Sequence, residues 1–117
     1  VVDITKQSAI LYTMITLQDL EFTPHPHIPQ GQVAKKELPN GIFLSIITGE
    51  TAYSGDNTYE VAMFWQGEFI RLGAYDDVLG YQSEAQINDL IASSQKDLSS
   101  FLKKSEAKKE LEKQLFS

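Results

Sequence analysis

Val33-Ala34-Lys35-Lys36-Glu37-Leu38, then Pro39-Asn40-Gly41, then Ile42-Phe43-Leu44-Ser45-Ile46-Ile47: this stretch decides how the chain is read. The second run is dense in β-branched and aromatic residues, which fit a pleated, half-buried surface. Asn-Gly supplies the positive φ angles that tight hairpin turns require, so the pair predicts a β-hairpin. Downstream, Thr58 to Trp65 predicts another strand, with Tyr59, Val61, Met63 and Trp65 on one face. Gln66-Gly67 turns it back, and Glu68 to Leu72 returns. The expectation is an antiparallel meander of four or five strands.

Working outward, Asp3 is placed to cap a short helix over residues 4–14, where Ile4, Leu11 and Met14 recur at helical spacing. Leu20 and Phe22 alternate with Glu21, which suits a brief strand. Pro24-His25-Pro26-His27-Ile28-Pro29-Gln30-Gly31 reads as a loop, because its prolines remove backbone donors and bias the preceding residues to extended forms. Gly49 to Asn57 is polar and turn-rich around Tyr53, and Gly73 to Tyr81 reads as a loop bounded by glycines. Ser83 and Gln86 have the spacing of a capping box, and Ile87, Leu90 and Ile91 follow as an apolar stripe that should cover one sheet face.

Sheet first and helix later gives an α+β class: an antiparallel meander, a helix packed on one face, and a long charged C-terminal helix. Residues 1–117 form a single domain in this reading. It divides into an N-terminal helix with a proline-rich loop (1–31), the sheet plus helix (32–92), and a charged helical tail (93–117). One straight helix from Ser83 to Leu115 would run about 50 Å, longer than the roughly 35 Å diameter of a compact domain this size. Either Ser93-Ser94 or Ser99-Ser100 breaks it and the tail folds back, or the tail projects toward a partner or a second copy. Ser105 and Lys108 spoil a clean heptad of Leu98, Phe101, Leu102, Leu111 and Leu115. With the hairpins and Ile87, Leu90 and Ile91 supplying the core, removal of residues 99–117 is expected to leave the domain folded.

Charge narrows the function classes. The formal net charge is −6. Between Lys103 and Gln114, five lysines face three glutamates, +2, which leaves −8 for the rest. From Glu37 to Gln95 nine acids face one basic residue, Arg71. Such a body repels phosphate backbones, so direct nucleic-acid binding is not expected and a partner with a basic surface is. The chain has no cysteine, which removes disulfides, thiolate nucleophiles and thiolate metal sites and suits a reducing compartment. The longest mostly apolar stretch, Ala9 to Leu17, is too short to span a membrane, and Val1-Val2-Asp3 lacks the basic start and small-residue cleavage site of a secretory signal. A cytoplasmic location is the expectation.

No residue pattern points to catalysis or to a cofactor. His25 and His27, the only histidines, could share a metal with Asp19 or Glu21 as oxygen ligands, but a site needs three or four converging ligands and the stiff loop offers two, so they read as surface-loop residues. Asp76 and Asp77 could act as an acid–base or Mg²⁺ pair, with Glu60 as a third carboxylate, but adjacent loop aspartates more often accept loop hydrogen bonds. Arg71 reads as a structural ion-pair partner. No phosphate loop or nucleophile elbow is present. The candidate protein-binding residues are Tyr75, Asp76, Asp77 and Tyr81 in the glycine-bounded loop. Separately, Trp65, Phe64 and Phe69 flank the Gln66-Gly67 turn and could form an aromatic contact patch, with Trp65 and Phe69 as its binding candidates, although strand aromatics more often belong to a core.

From Pro39 to about Ile91 the chain resembles a group of small bacteriophage proteins. The resemblance lies in Asn40-Gly41, Ser45-Ile46-Ile47, Tyr53-Ser54, Tyr59-Glu60-Val61-Ala62 and Asp76-Asp77-Val78-Leu79-Gly80-Tyr81, with an acidic helix start at Glu84. It implies a phage or prophage setting and no catalytic residue. The combined expectation is a non-enzymatic, protein-binding accessory factor in the bacterial host cytoplasm, an acidic inhibitor of a host defence or nucleic-acid-handling protein. The alternatives are a virion or scaffold component that self-associates through the C-terminal helix, and a metal-dependent hydrolase.

Overall fold

The computed structural model describes residues 15–48 and 58–116, the last by its backbone alone. The expected helix over 4–14 and the polar turn over 49–57 lie outside the described residues. Six strands form one antiparallel sheet: β1 (Thr23–Pro24), β2 (Gln32–Glu37), β3 (Phe43–Thr48), β4 (Tyr59–Trp65), β5 (Glu68–Phe69) and β6 (Leu79–Gln82). The first four follow one another across the sheet. β5 and β6 share the far side of β4, with β5 at its C-terminal end and β6 at its N-terminal end. Two helices follow, α1 (Glu84–Lys96) and α2 (Leu98–Phe116). The α+β class and the meander are as the sequence implies, and β6 is an additional strand inside the segment read as a loop.

The hairpin turns divide their labour differently from expectation. At Pro39-Asn40-Gly41 only Gly41 takes a positive φ, +94°, and the loop closes through Leu38 N–H to Ile42 C=O (2.7 Å) and Gly41 N–H to Leu38 C=O (2.9 Å). That is a three-residue loop ending in a left-handed glycine. The two-residue turn with both φ angles positive is at Gln66 (51°) and Gly67 (84°). Asn40 is used otherwise: its Oδ1 accepts from Ile42 N–H (3.1 Å) and its Nδ2 donates to Ser94 C=O (2.9 Å). The hairpin turn thereby satisfies one of the carbonyls left open at the end of α1.

Alternation along β3 and β4 sets the layers. Leu44 and Ile46 pair with Met63 and Val61, and all four are fully buried with Ile87 and Ile91 of α1. Each such side chain contributes about 1.5–3 kcal/mol through burial. The capping box starts α1 as expected, with Ser83 Oγ accepting from Gln86 N–H (3.1 Å) and Gln86 Oε1 accepting from Ser83 N–H (2.8 Å). At the other end of the chain's described part, Leu17 is buried and its N–H donates to Asn88 Oδ1 (2.8 Å), docking the N-terminal segment on α1. The brief strand expected at Leu20–Phe22 is instead β1, two residues on. It stays short because Pro24 offers no N–H and two further prolines follow.

The helix break falls at neither serine pair. Ser94 lies inside α1, fully buried, with its hydroxyl bonded back to Ile91 C=O (2.7 Å). Asp97 makes the break: its backbone leaves the helical region, and its carboxylate accepts from Ser100 N–H (3.1 Å) and Ser100 Oγ–H (2.9 Å) as the cap of α2. These Ser100 bonds, backbone first, hold the Asp97 carboxyl below its ordinary range, with Lys103 and Lys104 adding to the effect.

α2 then folds back onto the domain. Leu98, Phe101 and Leu102 pack against the core, so of the two courses open to the tail it takes the one that folds back. The same face continues as polar residues that serve the backbone after β5. Arg71 N–H donates to Ser105 Oγ (2.7 Å), Lys108 Nζ to Leu72 C=O (2.8 Å) and Lys109 Nζ to Phe69 C=O (3.0 Å). Ser105, buried, is thus a backbone partner rather than a flaw in a heptad.

Ser105→Ala is expected to lower stability by about 1–3 kcal/mol by leaving the Arg71 N–H unsatisfied. Urea denaturation should show a lower midpoint with an unchanged slope. An unchanged midpoint would mean that water replaces the hydroxyl without cost.

Candidate functional site

Both helices lie on the Leu44–Met63 side of the sheet, so the residues between these positions point the other way. In register across that second face, Phe43 faces Phe64 and Phe64 faces Phe69. The rings follow one another at centroid separations of 6.4 Å (Phe43–Phe64) and 4.5 Å (Phe64–Phe69), an aromatic row across three strands. Phe43 is 39% exposed and Phe69 42%. Beside this row a cleft of about 560 Å³ is lined by Phe43 and Phe64 with Lys35 and Glu37 at β2 and Ser45 at β3.

The row leads to a second cleft of about 570 Å³, lined by Phe69, Tyr75, Asp76, Asp77 and Tyr81 among others. Five of the six residues singled out from the sequence therefore share one cavity. Tyr75 and Tyr81 are 54% and 64% exposed. Two devices shape the loop that carries them. Gly73 N–H donates to Asp76 C=O (2.9 Å), closing the turn before Asp77. Tyr81 has φ +56°, unusual for a residue with a bulky side chain, in a strand whose register against β4 shifts between Tyr59 and Val61.

Asp77 is committed to structure. Its Oδ1 accepts from Arg71 Nε at 3.0 Å, and Arg71 Nη1 pairs with Glu112 of α2. The Arg71 side chain is 13% exposed against 35% for Asp77 and 31% for Glu112, a dry guanidinium between two partly wet carboxylates. Solvent at the carboxylates keeps the net stabilisation modest, while the fork geometry fixes where Asp77 sits.

Trp65, the sixth residue, is elsewhere. It alternates in phase with Val61 and Met63, so its ring is half-buried against the core on the helix side, where a Cβ on Gly41 would sit 3.1 Å from it. The partner of Phe69 is Phe64, extended by Phe43. Strand alternation carried that signal, since placing Trp65 with Met63 puts Phe64 on the opposite face.

The other candidate chemistry does not assemble. His25 Nδ1 accepts from the N–H groups of His27 (3.0 Å) and Ile28 (3.1 Å), which makes His25 a turn-closing residue. Glu60 lies on the open face opposite Ile47. Among the described residues, no three His, Asp or Glu side chains gather into a group able to hold a metal ion. Among them, too, no helix is long and apolar enough to cross a membrane.

Asp77→Asn should loosen the 73–78 loop and leave global stability nearly unchanged. Hydrogen exchange is expected to speed up at the Gly73 amide while the amides of β4 keep their protection. Unaltered exchange at Gly73 would show that the ion pair does not hold the loop.

Comparisons with family models, curated proteins and solved structures found no match to the chain, so the site rests on its own geometry.

Proposed function

We propose that the chain is a non-enzymatic, protein-binding accessory factor that docks a basic partner on the open face of its sheet. The observation that carries this reading is the aromatic row Phe43–Phe64–Phe69, left uncovered among the described residues and continuous with Tyr75 and Tyr81. Single exposed apolar side chains are ordinary, but contiguous ones mark interaction surfaces, and aromatic residues dominate binding hot spots. The partner's charge follows from the nine acids against Arg71 between Glu37 and Gln95. A field of that sign steers a basic protein and repels a nucleic-acid backbone. Proteins that handle nucleic acid carry basic grooves, so an inhibitor of a host defence or nucleic-acid-handling protein fits this surface. The phage-encoded origin and the setting in the bacterial cytoplasm are supported by the sequence resemblance over Pro39 to Ile91.

Capture from a bacterial lysate, followed by binding kinetics on the purified partner, tests the reading. The expected partner has a basic surface, associates more slowly as salt rises, and loses at least tenfold in affinity when Phe43 and Phe69 are both changed to Ser. A partner whose binding ignores the double substitution and the salt concentration would overturn it.

A second reading, self-association as a scaffold or virion component, is favoured by Leu111 and Leu115. They lie one turn apart on α2 and are 56% and 55% exposed. In sedimentation equilibrium it requires a concentration-dependent dimer that Leu111→Ser with Leu115→Ser abolishes. A monomer at all concentrations excludes it.

A further inference from the structure

We infer that the cleft formed by Phe69, Tyr75, Asp76, Asp77 and Tyr81 receives an arginine side chain of the protein partner. The inference rests on the basic-partner reading and gives it a specific anchor. Three aromatic rings and two carboxylates line one cavity of about 570 Å³, within the range of preformed ligand sites. Aromatic faces attract cations within about 6 Å of the ring centre, and a guanidinium can also stack flat on them. No lysine or arginine is among the lining residues; the nearby cations, Arg71 and Lys109, are each bonded to a lining residue from outside it, Arg71 to the Asp77 carboxylate and Lys109 to the Phe69 carbonyl.

The two carboxylates divide the work. Arg71 approaches Asp77 at Oδ1 from inside the fold and orients it toward the cavity wall. Asp76, exposed and without an ion pair among the described residues, is the group a second guanidinium would meet from outside. The Gly73–Asp76 hydrogen bond (2.9 Å) fixes the turn that presents it. An apolar side chain entering the same space would desolvate Asp76 without compensation, which is costly. An ammonium would gain the charge but not the stacking, and it gives up more hydration.

Tyr81 presents its ring to the cleft from a left-handed backbone, in a strand with a register shift against β4. A left-handed backbone at a non-glycine residue costs on the order of 1 kcal/mol. Here that cost accompanies a ring standing 64% exposed at the cavity rather than one buried in the core.

The test uses the full chain and three peptides, acetyl-Gly-Xaa-Gly-amide with Xaa as arginine, lysine or citrulline, titrated by two-dimensional NMR. Citrulline keeps the shape of arginine and removes its charge. The expected result is saturable shifts confined to Phe69, Tyr75, Asp76, Asp77 and Tyr81, strongest with arginine and at least about fivefold weaker with citrulline. Tyr81→Leu and Asp76→Asn should each weaken arginine binding about fivefold. Tyr81→Phe should retain it, and Glu21→Gln, a charge removed from the exposed segment before β1 at the opposite edge of the sheet, should change nothing. Equal binding of the arginine and citrulline peptides, or shifts located elsewhere, would overturn the assignment. So would tetramethylammonium binding at this cleft with no arginine response, which would make it a site for a small cation. Arginine binding here with a partner that ignores the aromatic row leaves this inference standing and removes the wider docking reading.

Discussion

The structure depends on a helix doing the work of a missing strand. Beyond the short β5, the chain runs through Ile70, Arg71 and Leu72; Ile70 and Leu72 are buried and Ile70 N–H donates to Met63 C=O of β4 (2.9 Å), while among the described residues no strand lies on the outer side. An unpaired peptide group in such a place costs about 1–3 kcal/mol. The lower half of α2 supplies the partners instead, through Ser105, Lys108 and Lys109. The sheet edge is thereby covered, which also denies it to strands of other molecules. It follows that the tail is part of the fold rather than an appendage, and that its charge has a local use.

Among the described residues, both helices lie on one side of the sheet and no helix covers the other. Its inner rows would be expected to be polar in an antiparallel sheet with one solvated face. Ser45, Glu60 and Lys35 obey that rule; Val33 and Ile47, paired at the end toward β1, and Phe43, Phe64 and Phe69, at the end toward β5, do not. Three aromatic residues on three successive strands lie in register, so the departure is organised and not a scatter of exposed apolar residues. Charged residues of both signs, Lys35 and Glu37, stand beside the row at β2.

How far the residues announce this arrangement varies with the kind of signal. Period-2 alternation was legible in β3 and β4, and the Ser83–Gln86 box with its Ile87/Leu90/Ile91 stripe located α1, because each is local. β6 was hidden because Leu79-Gly80-Tyr81-Gln82 contains a glycine and a left-handed tyrosine, neither of which suggests a strand. Its pairing is enforced by β4 from outside the segment. Of the aromatic residues flanking the Gln66-Gly67 turn, Phe64 and Phe69 do meet while Trp65 does not join them, because strand parity turns adjacent residues to opposite faces. Ser105 and Lys108 looked like defects because a heptad assumes that every inward position faces side chains, and here two face main chain.

Arg71 shows how the tail and the candidate cleft become one system. Its backbone N–H is bound by Ser105, and its side chain joins Glu112 of α2 to Asp77 of the cleft. The Arg71 side chain is less exposed than either carboxylate, and its bonds to Glu112 and then Asp77 favour the charged guanidinium. Loss of α2 would remove both the Ser105 acceptor and the Glu112 charge, leaving Asp77 to satisfy the guanidinium alone and pulling on the loop between Gly73 and Val78. The cleft's geometry is therefore set partly from a helix that does not line it. The one basic residue between Glu37 and Gln95 sits at the junction, which is the place where a positive charge both neutralises two acids and transmits their positions to each other.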